Sequence, residues 1–355
     1  MHVLLVAHHA WPHVGGVETL LDLEVRALLS AGHRVTLLTS DGGTGPLPVY
    51  MPNVVQVRIT SWHLLERLAG IPYPLFSPQL VPILWREIGR ADVVHAHGAL
   101  FQSSALALLL ARLRRVPSVL TDHGGIQQFS TRWATWLARV GFETLGRLSA
   151  CLANRAIAYN TRIQDLLARL RGRADVQFLA NPVSPIFAPP TPAERVQARQ
   201  ALGWDDRPKV LFVGRLIAAK GIHTLCAAAD PRYDLVFCGP GDPGQLGPGV
   251  QYLPPRPQLA VRQLYHAADV LALPAQVREG FPLVVQEALA CGLPVVLGDD
   301  PGFAPYRAIP GLHLCAPTPA NVRAALLMAL QAGRIAQPGQ VFPTMREWVE
   351  KLFAF

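Results

Sequence analysis

The sequence predicts an α/β protein with two halves, each an alternation of strands and helices around a parallel sheet. Three observations carry this. Short apolar runs bounded by proline, glycine or polar residues recur along the chain and read as buried strands. Segments of helical apolar spacing lie between them, and the alternation halts at a proline-rich stretch before starting again. At 355 residues the chain is long for one domain and suits two, each able to bury a core.

In the first half, Val3–Ala7 reads as a strand, followed by a loop from His8 to Gly16 and an amphipathic helix from about Val17 to Ser30. Gly32 stops that helix and Val35–Thr39 is the next strand. The loop lacks the spacing of a dinucleotide fingerprint, but Gly15-Gly16 at a helix start lets a backbone approach a phosphate; a structural turn is the plainer reading. Val54–Ile59 is a further strand. Asp92–His97 and Ser118–His123 are two more, each ending in histidine beside glycine. That placement favours chemistry for His123, while His97 stands open between chemistry and structural hydrogen bonding.

From Gln127 to Leu148, Phe129, Trp133, Trp136 and Phe142 alternate with arginines. A core helix with solvated arginines is the preferred reading, and a helix at a membrane interface the other. Ala156–Tyr159 and Val176–Leu179 complete the strands of this half. Asn181–Pro192 then holds five prolines in twelve residues, which neither sheet nor helix accepts, and the linker is placed at 184–193.

The second half begins with the strand Lys209–Val213 and a glycine-bounded loop carrying Arg215 and Lys220. Together these make a clamp for a diphosphate, Arg as a planar fork and Lys as a point charge; a solvated basic loop is the alternative. A helix at His223–Ala229, strands at Leu235–Cys238 and Val250–Leu253, and a helix at Gln258–Ala268 follow. Next comes strand Val270–Pro274, a loop with Glu279, a helix Leu283–Ala290 stopped by Gly292, and strand Pro294–Leu297. Such a unit puts loop and helix start at the carboxyl edge of a sheet, where ligands bind.

Glu279 and Glu287 are eight positions apart. Along a helix that is roughly 12 Å, beyond the about 5–9.5 Å of paired glycosidase carboxylates. They read as two hydrogen-bond acceptors for different parts of one extended ligand. Amides of Phe281, Leu283 and Val284 lie between them to receive a phosphate, since Pro282 has no N–H. Two glutamates exposed at the ends of a buried helix are the bland alternative.

Composition narrows the function classes. Half the residues are hydrophobic and 16% are charged, yet no window of 18 consecutive apolar residues exists, which argues against a spanning helix. The N-terminus reads as a strand rather than a signal peptide. Five scattered cysteines suggest buried thiols in a reducing compartment, with neither disulfide framework nor zinc site. The net charge of +8 favours anionic partners, and with no RNA-recognition signature nucleic acid is excluded. No DxD metal motif is visible, and Asp299-Asp300 before Pro301-Gly302 reads as a turn.

In order, Gly15-Gly-Val-Glu18, Val94-His-Ala-His-Gly98, Thr121-Asp-His-Gly124, Val213–Gly221, Ala268–Pro274 and Glu279–Gly292 give the chain its resemblance to the retaining nucleotide-sugar glycosyltransferases of family four. The resemblance implies a GT-B fold: two Rossmann-like doubly wound domains, at 1–183 and 194–342, facing across a cleft, with a helix at 343–355 crossing back onto the first. It implies that Glu279 and the Phe281–Val284 amides hold the donor sugar and that Glu287 accepts from the ribose. Arg215 and Lys220 would neutralise the diphosphate, Gly15-Gly16 approach from the other domain, and His123 stand near the sugar. Arg256 would border the base.

The function so implied is retaining transfer of a hexose-type sugar from a nucleotide-diphosphate sugar, with no metal and no cofactor beyond that donor. The partners expected are the donor, a lipid-linked, glycan or small-molecule acceptor, and an anionic membrane surface. The place expected is the cytoplasm, at the membrane periphery, in making cell-envelope polysaccharide or glycolipid. A sugar-nucleotide 2-epimerase of the same fold and a non-catalytic nucleotide-sugar sensor are the alternatives.

Overall fold

The computed structural model describes residues 1–10, 15–42, 54–63, 73–126, 132–276, 280–336 and 338–354. The chain divides into two units: Met1–Asn181 together with Met345–Phe355, and Pro182–Thr344.

The strands of the first unit are β1 (His2–Val6), β2 (Arg34–Ser40), β3 (Val54–Ile59), β4 (Ser61–Trp62), β5 (Leu75–Phe76), β6 (Val93–His97), β7 (Ser118–Thr121), β8 (Arg155–Ala158) and β9 (Val176–Phe178). Seven form a sheet in the order β3-β2-β1-β6-β7-β8-β9, every pair parallel; β4 and β5 make a small antiparallel pair. Alternation along β1 explains why both faces are buried. Val3 and Leu5 enter one core cluster with Leu21, Val25 and Leu28 of the helix Gly16–Ser30. Leu4 and Val6 enter the opposite cluster with Leu84, Ile88, Ala107 and Ala111.

Trp348, Val349 and Leu352 of the helix Met345–Leu352 fill the first of these clusters, so the end of the described chain is part of the first unit's core. The stretch from Arg132 to Leu152 is helical, with a five-residue π segment at Phe142–Gly146. It buries small residues, Ala134 and Ala138, and leaves Trp133 and Trp136 53% and 64% exposed. Phe142 and Ala150 enter a core cluster while the arginines are solvated, as a core helix requires, but Trp133 and Trp136 depart from that reading and face outward.

The second unit has β10 (Lys209–Val213), β11 (Asp234–Cys238), β12 (Gln251–Leu253), β13 (Val270–Leu273), β14 (Val295–Gly298) and β15 (Leu312–Cys315). Their order is β12-β11-β10-β13-β14-β15, again all parallel. Beyond β14, the last strand expected from the sequence, β15 and the helix Pro319–Ala332 extend the fold.

The stretch read as a linker packs within this unit. Phe187 is buried, and Nε2 of His266 lies 3.0 Å from the Ala188 carbonyl. Its last residues begin a helix, Pro192–Ala201, where Thr191 and Glu194 form a capping box and proline fills the first helical position.

Each sheet has a point where strand order reverses, between β1 and β6 in one and between β10 and β13 in the other. Ligand sites of open parallel sheets form outside the strands' carboxyl ends at such points. Gly15-Gly16 follow β1 and His97 ends β6, and Arg215, Lys220 and the helix with Glu287 follow β10 and β13, while His123 follows β7 and Arg256 follows β12.

Candidate functional site

In the first unit, the helix after β1 starts at Gly15-Gly16. The Glu18 carboxylate folds back over this start: a Cβ at residue 15 would stand 2.3 Å from Glu18 Oε2. A protein carboxylate already lies against the helix N-terminus, the end that favours negative charge.

His95 and His97 are two apart on β6 and project from the same face, toward that helix. The helix meets them with Glu24, fully buried among Leu20, Leu21, Val25 and Leu28. Glu24 Oε1 lies 2.6 Å from His95 Nδ1, and Glu24 Oε2 lies 3.2 Å from His97 Nε2. Burial pushes the Glu24 carboxyl up, but His95 and His97 more than offset it and bring it down to about 2, so Glu24 is ionised. Burial pushes His95 down. A neutral His95 donates Nδ1–H to Glu24 and accepts at Nε2 from the Thr121 hydroxyl, 2.8 Å away.

His123 follows β7 and is 9% exposed. Its Nε2 is 3.0 Å from His97 Nδ1, and its Nδ1 is 3.2 Å from the Tyr159 hydroxyl, which itself donates to the His123 carbonyl at 2.9 Å. Both ring nitrogens of the expected donor-site histidine are thus engaged inside its own unit. Burial, with His97 and His95 adding to it, lowers His123 well below the ordinary histidine range and keeps it neutral.

The loops are locked in turn by Asp122. Its carboxylate accepts from the amides of Ala99 after β6 (2.9 Å) and Gly125 after β7 (2.6 Å).

Among the described residues, Glu24, His95 and His97 bring ligand atoms within 4.8 Å of one another. Two ligands of one tetrahedral zinc, each about 2.0–2.1 Å from it, stand roughly 3.3 Å apart. The 2.6 Å between Glu24 and His95 is shorter and is a hydrogen-bond length, so the group fits a proton network better than an ion.

In the second unit, Arg215 and Lys220 lie in the loop after β10, Arg215 exposed and Lys220 half-buried. That loop is interlocked with its neighbours. Leu216 donates to the Pro240 carbonyl after β11 at 2.8 Å, and Gln276 after β13 donates to the Ala219 carbonyl at 3.0 Å. Gly221 has φ +80, and a Cβ there would stand 2.0 Å from the Pro274 carbonyl oxygen. Only glycine lets the two loops approach so closely.

Glu279 lies outside the described residues. Phe281 is buried, stacked on Tyr306 with ring centroids 3.7 Å apart. Leu283 and Val284 open the helix Leu283–Ala290, which carries Glu287 on a buried face. Glu287 is 7% exposed and one oxygen accepts from the Tyr265 hydroxyl at 3.0 Å. Burial raises its carboxyl to about 7, against the pull of that hydrogen bond. Arg256 is exposed in the loop after β12. Asp300 caps the short helix Pro301–Tyr306, accepting from Gly302 at 2.7 Å, so the Asp-Asp pair is part of a turn.

The structure thus gathers Gly15, Gly16, His97 and His123 at the carboxyl edge of one sheet. It gathers Arg215, Lys220, Arg256, Phe281, Leu283, Val284 and Glu287 at the carboxyl edge of the other. Glu24, His95, Tyr159 and Tyr265 escaped the sequence reading. Glu24 had a signal: it is seven residues after Val17, on the apolar stripe of its helix, where a carboxylate is out of place unless paired.

Two family models match the chain, one described as Glycosyltransferase Family 4 over residues 14–186 and one as Glycosyl transferases group 1 over residues 194–308. The chain is 27% identical over 324 residues to the GDP-mannose:cellobiosyl-diphosphopolyprenol alpha-mannosyltransferase of Xanthomonas campestris, covering 85% of this chain and 80% of that one. It is 28% identical over 309 residues to a GDP-mannose-dependent alpha-mannosyltransferase of Mycolicibacterium smegmatis, with the same coverage, 85% and 80%. Among solved structures, Anabaena HepE in complex with UDP and glucose superposes with a TM-score of 0.74 at 19% identity, over 99% of each chain. WaaG, a glycosyltransferase of lipopolysaccharide biosynthesis, gives 0.65 at 17% identity, over 99% of this chain and 94% of its own. These likenesses give the fold, GT-B.

Proposed function

The chain belongs to the family 4 glycosyltransferases of GT-B fold, and from this we propose that it moves a hexose from a nucleotide-diphosphate sugar to its acceptor with retention of configuration. The observation that carries the reading is the arrangement at the second unit's strand-order reversal. There the loop bearing Arg215 and Lys220 follows β10, and the helix bearing Glu287 follows its neighbour β13.

In this reading Arg215 and Lys220 grip the diphosphate and stabilise its charge as the bond from the sugar's anomeric carbon to the phosphate oxygen breaks. Amides at the start of the helix Leu283–Ala290 face the same group. Glu287 takes hydrogen bonds from the ribose, Glu279 holds sugar hydroxyls, and Arg256 borders the base. The acceptor hydroxyl attacks the face the diphosphate is leaving and gives its proton to the departing phosphate oxygen. Two fixed cations do the work a metal would do, so the transfer proceeds without one.

For the acceptor we propose a lipid-linked glycan, met at an anionic membrane surface in building the cell envelope. The curated relatives above are supporting analogies, one of them named for a diphosphopolyprenol acceptor. Exposed Trp133 and Trp136 among Arg132, Arg139 and Arg147 suit an interfacial helix. No helix among the described residues is long and apolar enough to cross a membrane.

The test is a screen of UDP-, GDP- and ADP-sugars that follows release of nucleotide diphosphate, with and without EDTA. Sugar transfer with the anomeric configuration kept, and unchanged by EDTA, supports the proposal. Donor binding with no release under any acceptor would replace it with a sensor.

A further inference from the structure

We infer that Glu24 is a positioning residue: through His97 it fixes the ring orientation and tautomer of His123. The inference rests on the reading of His123 as a donor-site residue given above.

Tyr159 has one hydroxyl proton and a carbonyl acceptor 2.9 Å away, so the His123 Nδ1 beside it is best supplied with its own proton, donated to the Tyr159 oxygen. A neutral His123 then has a lone pair at Nε2, and the proton in the 3.0 Å bond to His97 Nδ1 belongs to His97. The other nitrogen of His97 faces Glu24 Oε2 at 3.2 Å. A lone pair there would oppose an ionised oxygen that has no aligned hydrogen-bond partner among the described residues, whereas an N–H makes the contact attractive. His97 therefore carries both ring protons, its charge balanced by Glu24, and His123 is held as the Nδ1–H tautomer. The parallel ring planes of His97 and His123, 3° apart, agree with an in-line bond between the two edges.

His95 completes the arrangement by occupying the other oxygen of Glu24, which fixes the carboxylate's rotation. Among the described residues Glu24 meets the His123 ring through His97, so its loss moves a ring and a proton rather than a contact with substrate.

The test is a ¹⁵N spectrum of the full-length protein labelled at histidine, near neutral pH, with kinetics in parallel. Wild type is expected to show one imidazole with both nitrogens protonated, absent from His97→Gln, and a His123 protonated at Nδ1 alone. Glu24→Gln, which keeps the shape and removes the charge, is expected to lose the doubly protonated signal. It should lower kcat about tenfold or more while changing the donor KM less than about threefold. Glu24→Asp should restore part of both.

A wild type with no doubly protonated ring overturns the inference without recourse to any variant. So does a Glu24→Gln protein that keeps the signal, or that loses it with kcat unchanged, or a stoichiometric metal found by elemental analysis and lost with Glu24. If wild type transfers sugar from no donor, the proposed function fails, and the spectrum still decides whether Glu24 governs His123.

Discussion

The Tyr265 hydroxyl stands 3.0 Å from a carboxylate oxygen of Glu287, and both side chains are buried in the second unit. Tyr265 comes from the helix before β13 and Glu287 from the helix after it, so the bond spans the strand. Glu287 is therefore held in place with one oxygen engaged before any ligand arrives.

This burial gives the ligand-free protein a pH signature. Glu287 is raised from 4.5 to about 7 on folding. Below about pH 4.5 both folded and unfolded chains keep the proton. Between there and about pH 7 only the folded chain keeps it, so stability falls as pH rises, by roughly 3 kcal/mol at most. Glu287→Gln should remove that slope and be the more stable protein near pH 8. Urea midpoints of the two proteins across about pH 5–8 check this, and parallel slopes would sink it.

Arg215→Ala and Lys220→Ala should each reduce kcat by about a hundredfold or more, the usual scale for losing one fixed stabiliser of developing charge. Arg215 is exposed, so its removal should cost within about 0.5 kcal/mol of stability. Single-turnover rates and thermal melts measure the two effects separately. Unchanged rates in both variants would remove these cations from the chemistry.

Replacing Trp133 and Trp136 together by serine should abolish sedimentation with vesicles containing phosphatidylglycerol and leave the thermal midpoint within a few degrees, because both rings are exposed. Binding that persists would place any membrane contact elsewhere.

Gly221→Ala should destabilise the second unit by about 2 kcal/mol or more. The new Cβ would meet a backbone carbonyl at 2.0 Å in a left-handed conformation, and backbone cannot swing aside as a side chain can. A urea midpoint equal to wild type would show that the loops after β10 and β13 can part freely.

The sheet strands up to β14 were legible because buried parallel strands are short apolar runs, and the histidines and cations follow those runs directly. The network behind them was not. Glu24 and His95 are 71 residues apart in sequence and meet only through the packing of a helix on β6. Tyr265 looked like one more apolar residue of a helix. The Thr-x-x-Glu spacing at Thr191–Glu194 is a helix-start signal, but the prolines around it have the composition of a linker. For Trp133 and Trp136, aromatic content suggested burial, while Ala134, Ala138 and Phe142 in fact supply the packed face.

The first unit is discontinuous: Trp348, Val349 and Leu352, with Met345 and Phe353 packed beside them, complete a core cluster whose other residues all precede 182. During synthesis that sheet face must wait for its cover while roughly 160 intervening residues are made. At about 5–20 residues per second the wait is on the order of ten to thirty seconds. A newborn chain thus carries an oily, half-clad sheet past the ribosome, and chaperone dependence should track that interval rather than the stability of the finished enzyme.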